Sequence, residues 1–139
     1  MPKNINKLIS QLKLKRKVYE SYVNFLKQYN VIDFYGLNYS YYIDYKGKKL
    51  PLEVILGFSE KAGEDLIALN EKCLKRVPRS YFAIARINHG DLLCLVGGPI
   101  YYWDRKINDL YFDMKIKYGY LRQNTYLMPV ADSFGQFYP

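Results

Sequence analysis

The hydrophobic pattern of this chain changes period several times, and each change marks an element. Ile5, Leu8, Ile9 and Leu12 recur at helical spacing, and Tyr19, Tyr22, Val23, Phe25, Leu26 and Tyr29 repeat it beyond Lys15-Arg16-Lys17, so residues 4–29 read as one helix or two. The second half has the richer apolar face and is expected to pack on a sheet. Asn30, a residue type that tolerates the left-handed conformation, is the expected stop. From Ile32 to Phe58 the pattern turns to strand, with FYGLNYSYYIDY, a turn at Lys46-Gly47-Lys48-Lys49, and the apolar run LPLEVILGF, whose Pro51 suits a strand start or an edge. Ser59 to Gly63 then connects to a helix opened by Glu64-Asp65, acids where the macrodipole favours them, with Leu66, Ile67, Asn70, Cys73 and Leu74 on its inner stripe. Lys72, Lys75 and Arg76 close that helix and Val77-Pro78-Arg79 ends it.

Residues 80–104, SYFAIARINHGDLLCLVGGPIYYWD, form the centre of the pattern. Tyr81, Ala83, Ala85 and Ile87 alternate with Phe82, Ile84 and Arg86, so both faces of that strand are nearly apolar and it belongs inside a sheet. Asn88-His89-Gly90-Asp91 supplies a hairpin turn, with a glycine free to take positive φ. A second apolar strand, a Gly97-Gly98-Pro99 corner and a third strand ending at Trp103-Asp104 complete a meander. Beyond it, residues 105–109 read as a polar turn and LYFDMKIKYGYL as a half-exposed strand or a loop crossing an edge, while 122–129 fit no period. PVADSFGQFYP is a short terminal helix that Asp132 or Ser133 can cap, with Phe134 and Phe137 on one face. No internal repeat or linker interrupts the chain, so residues 1–139 read as one α+β domain, with residues 1–17 a basic N-terminal helix or extension.

Composition adds three limits. Cys73 and Cys94 fall in apolar patterns and read as buried reduced thiols, which points to an intracellular protein. No apolar run approaches a membrane span and no secretory leader pattern opens the chain, so a soluble, cytoplasmic protein is expected. The net charge of +8 suggests an anionic partner, but Lys3, Lys7, Lys13, Lys15, Arg16 and Lys17 precede the first acid, Glu20, and the rest is close to balanced.

Catalysis needs a nucleophile or a base with partners in reach. His89 is the sole histidine and falls in the hairpin turn. No metal-ligand spacing and no phosphate-cradling glycine loop exists. The reading is therefore non-enzymatic, without cofactor or metal. Two functions remain: a protein-binding domain presenting aromatic anchors, or a nucleic-acid-binding module using the basic N-terminal helix and exposed tyrosines. The stretch from Tyr29 to Tyr45 holds six tyrosines and no Arg or Lys, a density beyond what one buried face absorbs, and this favours protein over nucleic acid.

Taken in order, YESYVNFLKQYN, GFSEKAGEDLIALNE, RVPRSYFAIARINHGDLLCL, IYYWD and PVADSFGQF resemble successive segments of the SUKH superfamily, bacterial immunity proteins related to the Smi/Knr-type fungal cell-wall regulators. The resemblance implies an α+β fold with a central, strongly twisted mixed or antiparallel sheet, helices packed on one side and a short C-terminal helix. It also implies a non-catalytic domain that binds and neutralises a cognate polymorphic toxin. Many members are acidic, whereas this chain is basic. The expected partner surface comprises Tyr39, Tyr41, Tyr42, Tyr101, Tyr102 and Asp104. Gly90, Asp91, Trp103, Asp132, Ser133 and Phe134 are expected to serve as the structural motif, and the sequence leaves the oligomeric state open.

Overall fold

Residues 81–95 and 98–104 fold as the meander their alternation predicts. In a computed structural model that describes residues 5–15, 20–37, 40–72, 81–95, 98–110 and 127–138, the first strand of the meander is Phe82–Ile87, the second Asp91–Leu95 and the third Ile100–Trp103, paired antiparallel in sequence order. Numbered along the chain, the elements are α1 (Ile5–Lys15), α2 (Glu20–Gln28), β1 (Ile32–Asp33), a single 3-10 turn (Phe34–Gly36), β2 (Tyr42–Tyr45), β3 (Lys48–Ile55), α3 (Leu66–Lys72), β4 (Phe82–Ile87), β5 (Asp91–Leu95) and β6 (Ile100–Trp103). A helix α4, described over residues 105–110, then β7 (Leu127–Ala131) and α5 (Phe134–Phe137) follow. Among the described residues the sheet has seven antiparallel strands in the order β1-β3-β4-β5-β6-β7, with β2 paired to the N-terminal half of β3.

The sheet curls. Tyr45 of β2 stacks on Tyr102 of β6 with ring centroids 3.8 Å apart and planes within 7°. Four strand spacings would hold those strands about 19 Å apart in a flat sheet, so the β2–β3 hairpin folds over the inner face. Register shifts on β3, β4 and β7 supply the bending, as bulges do. The enclosed space holds the main core: Tyr22, Val23, Phe25 and Leu26 of α2, Phe134 and Phe137 of α5, and the inward residues Ile84, Leu93, Leu95, Ile100 and Tyr102. Ile9 of α1 joins it at 3% exposure, so this basic helix docks on the domain rather than trailing from it. On the outer face Ala83, Leu92, Cys94 and Trp103 form a second cluster, which Leu69 of α3 covers.

Local chemistry sets the boundaries. Asn30 takes φ 63° and ends α2, as its side chain permits. Lys46 and Gly47, at φ 52° and 77°, make a two-residue hairpin turn, so Lys48 and Lys49 already belong to β3 rather than to the turn. Pro51 sits opposite Tyr42 in the part of β3 that precedes its pairing with β4, where a missing N–H is tolerated. Residues 34–36 depart from the strand expected there, because the Asp33 carboxylate accepts the Tyr35 N–H at 3.1 Å and closes a turn. Asp65 caps α3 from outside, accepting from Ala68 N–H at 2.9 Å, and its other oxygen takes the Ser59 N–H at 2.9 Å. Residues 105–110 are helical, not a polar turn, because Asp104 can cap them. Cys73, Val77-Pro78-Arg79, Lys15-Arg16-Lys17 (as side chains) and most of LYFDMKIKYGYL lie outside the described residues.

Candidate functional site

Three connections meet at one end of the sheet: the β2–β3 turn at 46–47, the β4–β5 turn at 88–90, and the passage from β6 into α4 at 104–106. Beneath them lies a polar cluster. Tyr102, fully buried, donates its hydroxyl to Asp91 at 2.5 Å, and Tyr45, stacked on it, donates to Asp104 at 2.9 Å. The same two carboxylates hold the start of α4. Asp91 accepts the Arg105 N–H at 2.8 Å and the Asn88 side-chain amide at 3.2 Å. Asp104 accepts the Ile107 N–H at 3.3 Å, and its carbonyl accepts from Asn108 N–H at 3.0 Å. Two stacked rings and two carboxylates thus fix where Arg105 and Lys106 emerge.

The β4–β5 turn shapes the other wall. Asn88 and His89 take φ 51° and 56°, and Gly90 takes φ 135°. The Arg105 side chain lies across Gly90: a Cβ there would stand 2.8 Å from Nε and 3.1 Å from Cζ. Glycine is needed here for its backbone, and an added Cβ would also push the Arg105 side chain aside. Glu53 of β3, only 7% exposed, accepts the His89 N–H at 2.5 Å, while the imidazole projects into solvent with Nδ1 4.0 Å from the same carboxylate. His89 is a turn residue in structure as in sequence.

Around this framework, Lys46, Lys48, Arg105 and Lys106 line a cleft of about 380 Å³ with Asp91 and Asp104 in its wall. A larger cleft of about 660 Å³ adjoins it over the outer face of the sheet; Arg105 lines this one too, with Lys72, Arg86 and Glu53. Trp103 forms part of its wall and is 4% exposed. Among the described residues no cluster of three or more potential metal ligands occurs, and no helix is long and apolar enough to cross a membrane.

The residues expected to form a partner surface do not converge. Tyr42 is 53% exposed on the outward side of β2, and Tyr101 is half-buried on the outer face of β6. Tyr41 is half-buried among Phe34, Phe137 and Tyr138 and donates its hydroxyl to the Phe137 carbonyl, holding the terminal helix. Tyr102 cannot be a contact residue: alternation along β6 turns it inward beside Leu93, and its hydroxyl is occupied by Asp91. Asp104 is half-buried and does face the smaller cleft. Tyr39 lies outside the described residues.

Ser133 is the cap of α5, accepting from Gln136 N–H at 3.1 Å, and Gln136 returns its side-chain oxygen to the Asp132 N–H at 2.6 Å. Phe134 is 2% exposed in the core. Sequence reasoning missed Lys46, Lys48, Arg105 and Lys106 as one group, reading them as two unrelated polar turns. The available signal was two short basic runs, each at a strand end. Tyr35 at 65% and Tyr29 at 49% exposure are further aromatic positions outside the expected set.

Burial, then the hydrogen bond to Asp91 and that carboxylate's charge, hold the Tyr102 phenol far above its ordinary value, and burial alone does so for Tyr22. A raised folded pKa means that stability is intact below the unfolded value of about 10 and falls as pH rises beyond it, by about 1.4 kcal/mol per pH unit per tyrosine. Urea midpoints should therefore drop steeply above that pH. Tyr102→Phe should make the alkaline limb shallower by one tyrosine's share; an unchanged slope would contradict the buried Tyr102–Asp91 pairing.

With the geometry in place, comparison with known proteins gives the class. The sequence model of the SMI1 / KNR4 family (SUKH-1) matches residues 2–139, and the chain belongs to that family. Membership supports an immunity-type, partner-binding domain without catalysis as its general character. Among the curated proteins and the solved structures, nothing matches.

Proposed function

We propose that this protein binds a cognate polymorphic toxin in the cytoplasm and neutralises it by covering the toxin's active or substrate-binding surface. The observation that carries this is the family match along essentially the whole chain. The architecture suits the role: an inhibitor needs a rigid platform, and here the curled sheet, the Tyr45–Tyr102 stack and the Asp91 and Asp104 bonds immobilise one end of the molecule. Charge complementarity would then speed encounter and select the partner.

The proposal predicts a reading frame for a toxin domain immediately upstream of this gene, and the test is co-expression with that domain. Cells carrying both should grow, cells carrying the toxin alone should not, and the two proteins should elute together in gel filtration. Growth arrest despite full expression of the folded protein would sink the proposal. Purified protein carrying excess 260 nm absorbance that high salt removes would instead favour nucleic-acid binding.

A further inference from the structure

We infer that Lys46, Lys48, Arg105 and Lys106 form a docking surface for an acidic protein partner, with a carboxylate-bearing loop of that partner seated in the cleft between the β2–β3 turn and the start of α4. The inference rests on the partner-binding function proposed above and adds the location and chemistry of contact.

Four observations converge. First, two basic runs far apart in sequence line one concave site, and Arg105 reaches from it into the neighbouring cleft, where Lys72 and Arg86 outnumber the single acid Glu53. Second, the carboxylates beneath are committed internally. Asp91 accepts from Tyr102, Arg105 N–H and Asn88, and Asp104 from Tyr45 and Ile107 N–H. Among the described residues, Lys48, Arg105 and Lys106 make no ion pair. Third, Arg105 is pre-positioned, its N–H held by Asp91 and its side chain laid over Gly90, so less ordering entropy is lost when it meets a carboxylate.

The fourth observation separates protein from nucleic acid. Binding of single-stranded nucleic acid calls for exposed rings on which bases stack. The rings at this site, Tyr45 at 7% and Tyr102 at 0% exposure, are both buried. The site offers discrete cations around a recess, with half-buried Leu50 in its wall, which suits an acidic side chain on a folded partner.

A short oligoglutamate peptide is a suitable probe, read by calorimetry and by fluorescence of Trp103, the chain's sole tryptophan. Lys48→Glu with Arg105→Glu should weaken peptide binding by about tenfold or more, whereas Lys27→Glu with Lys61→Glu, the same charge change on exposed residues elsewhere, should alter it by less than about twofold. Lys48→Gln with Arg105→Gln, a milder pair for the case in which reversal disturbs folding, should fall between. Equal effects of the two reversal pairs, no peptide binding at all, or an oligouridine that outcompetes the peptide at this surface would each overturn the inference. Co-expression with the toxin that the proposed function requires separates the two levels. Loss of protection in Lys48→Glu/Arg105→Glu alone supports both. Protection by wild type and reversal variant alike overturns the surface but not the function. Failure of wild type to protect, with site-selective peptide binding intact, overturns the toxin reading but not the acidic-partner surface.

Discussion

Gly57→Ala is expected to unfold this domain or bring it close to unfolding. A Cβ at Gly57 would stand 2.0 Å from the Asn30 carbonyl oxygen, 2.5 Å from its side-chain oxygen and 2.6 Å from its carbonyl carbon. Two of these are backbone atoms, so no rotamer change relieves the clash. Asn30 cannot retreat cheaply either. It is buried at 6% exposure, and its side chain pairs with the Phe58 backbone like a strand neighbour, donating to the carbonyl at 2.7 Å and accepting from the N–H at 2.8 Å. Separating the two segments forfeits both bonds at about 1–3 kcal/mol each and disturbs packing by about 1–3 kcal/mol more, about 3–9 kcal/mol together. Against a total stability of about 5–15 kcal/mol, that removes much of the folded population. Urea unfolding followed by far-UV circular dichroism measures it; a loss below about 1 kcal/mol would mean that the α2 terminus does not dock on Gly57 as described.

Asp91→Ala is expected to have the second largest effect, and to act on both stability and binding. Its carboxylate, 6% exposed, accepts from the Tyr102 hydroxyl, the Arg105 N–H and the Asn88 amide. Hydrogen bonds to charged groups contribute about 1.5–3 kcal/mol, and truncation leaves a fully buried phenol without an acceptor, so a loss of about 3–5 kcal/mol follows. Asp91→Asn keeps the shape and one acceptor oxygen and should cost roughly half as much. The variants also separate structure from function: a chain that stays folded with α4 released should lose its preference for oligoglutamate at the Arg105 cleft while keeping the non-specific attraction of its net charge. An Asp91→Ala protein as stable as wild type in urea would show that the carboxylate is not the tie between β5, β6 and α4.

Much of this was legible in local pattern. Period-two alternation placed the meander, and the φ-tolerant residues Asn30 and Gly90 marked a helix end and a turn because those preferences are properties of single residues. Ser133 could be read as a cap for the same reason. The helix at 105–110 was missed because Ile107 and Leu110 are its only apolar residues, too few to show a period; its start depends on Asp104 and, across the sheet, on Asp91, which no local window contains. Tyr102 was placed on the surface because tyrosine suits either environment, and the inward turn of β6 was settled by its register with β5.

The sequence by itself determined the α+β class, the order of most strands and the family, since these follow from periodicity, spacing and residue type. Only the tertiary structure decided which tyrosines are interior and which cations share a surface. Curling the sheet brings β2 over β6, stacks Tyr45 on Tyr102, and sets Lys46 and Lys48 beside Arg105 and Lys106. That proximity comes from closure of a twisted, bulged sheet, a sum of small bends over several strands, and it leaves no signature at the positions it joins.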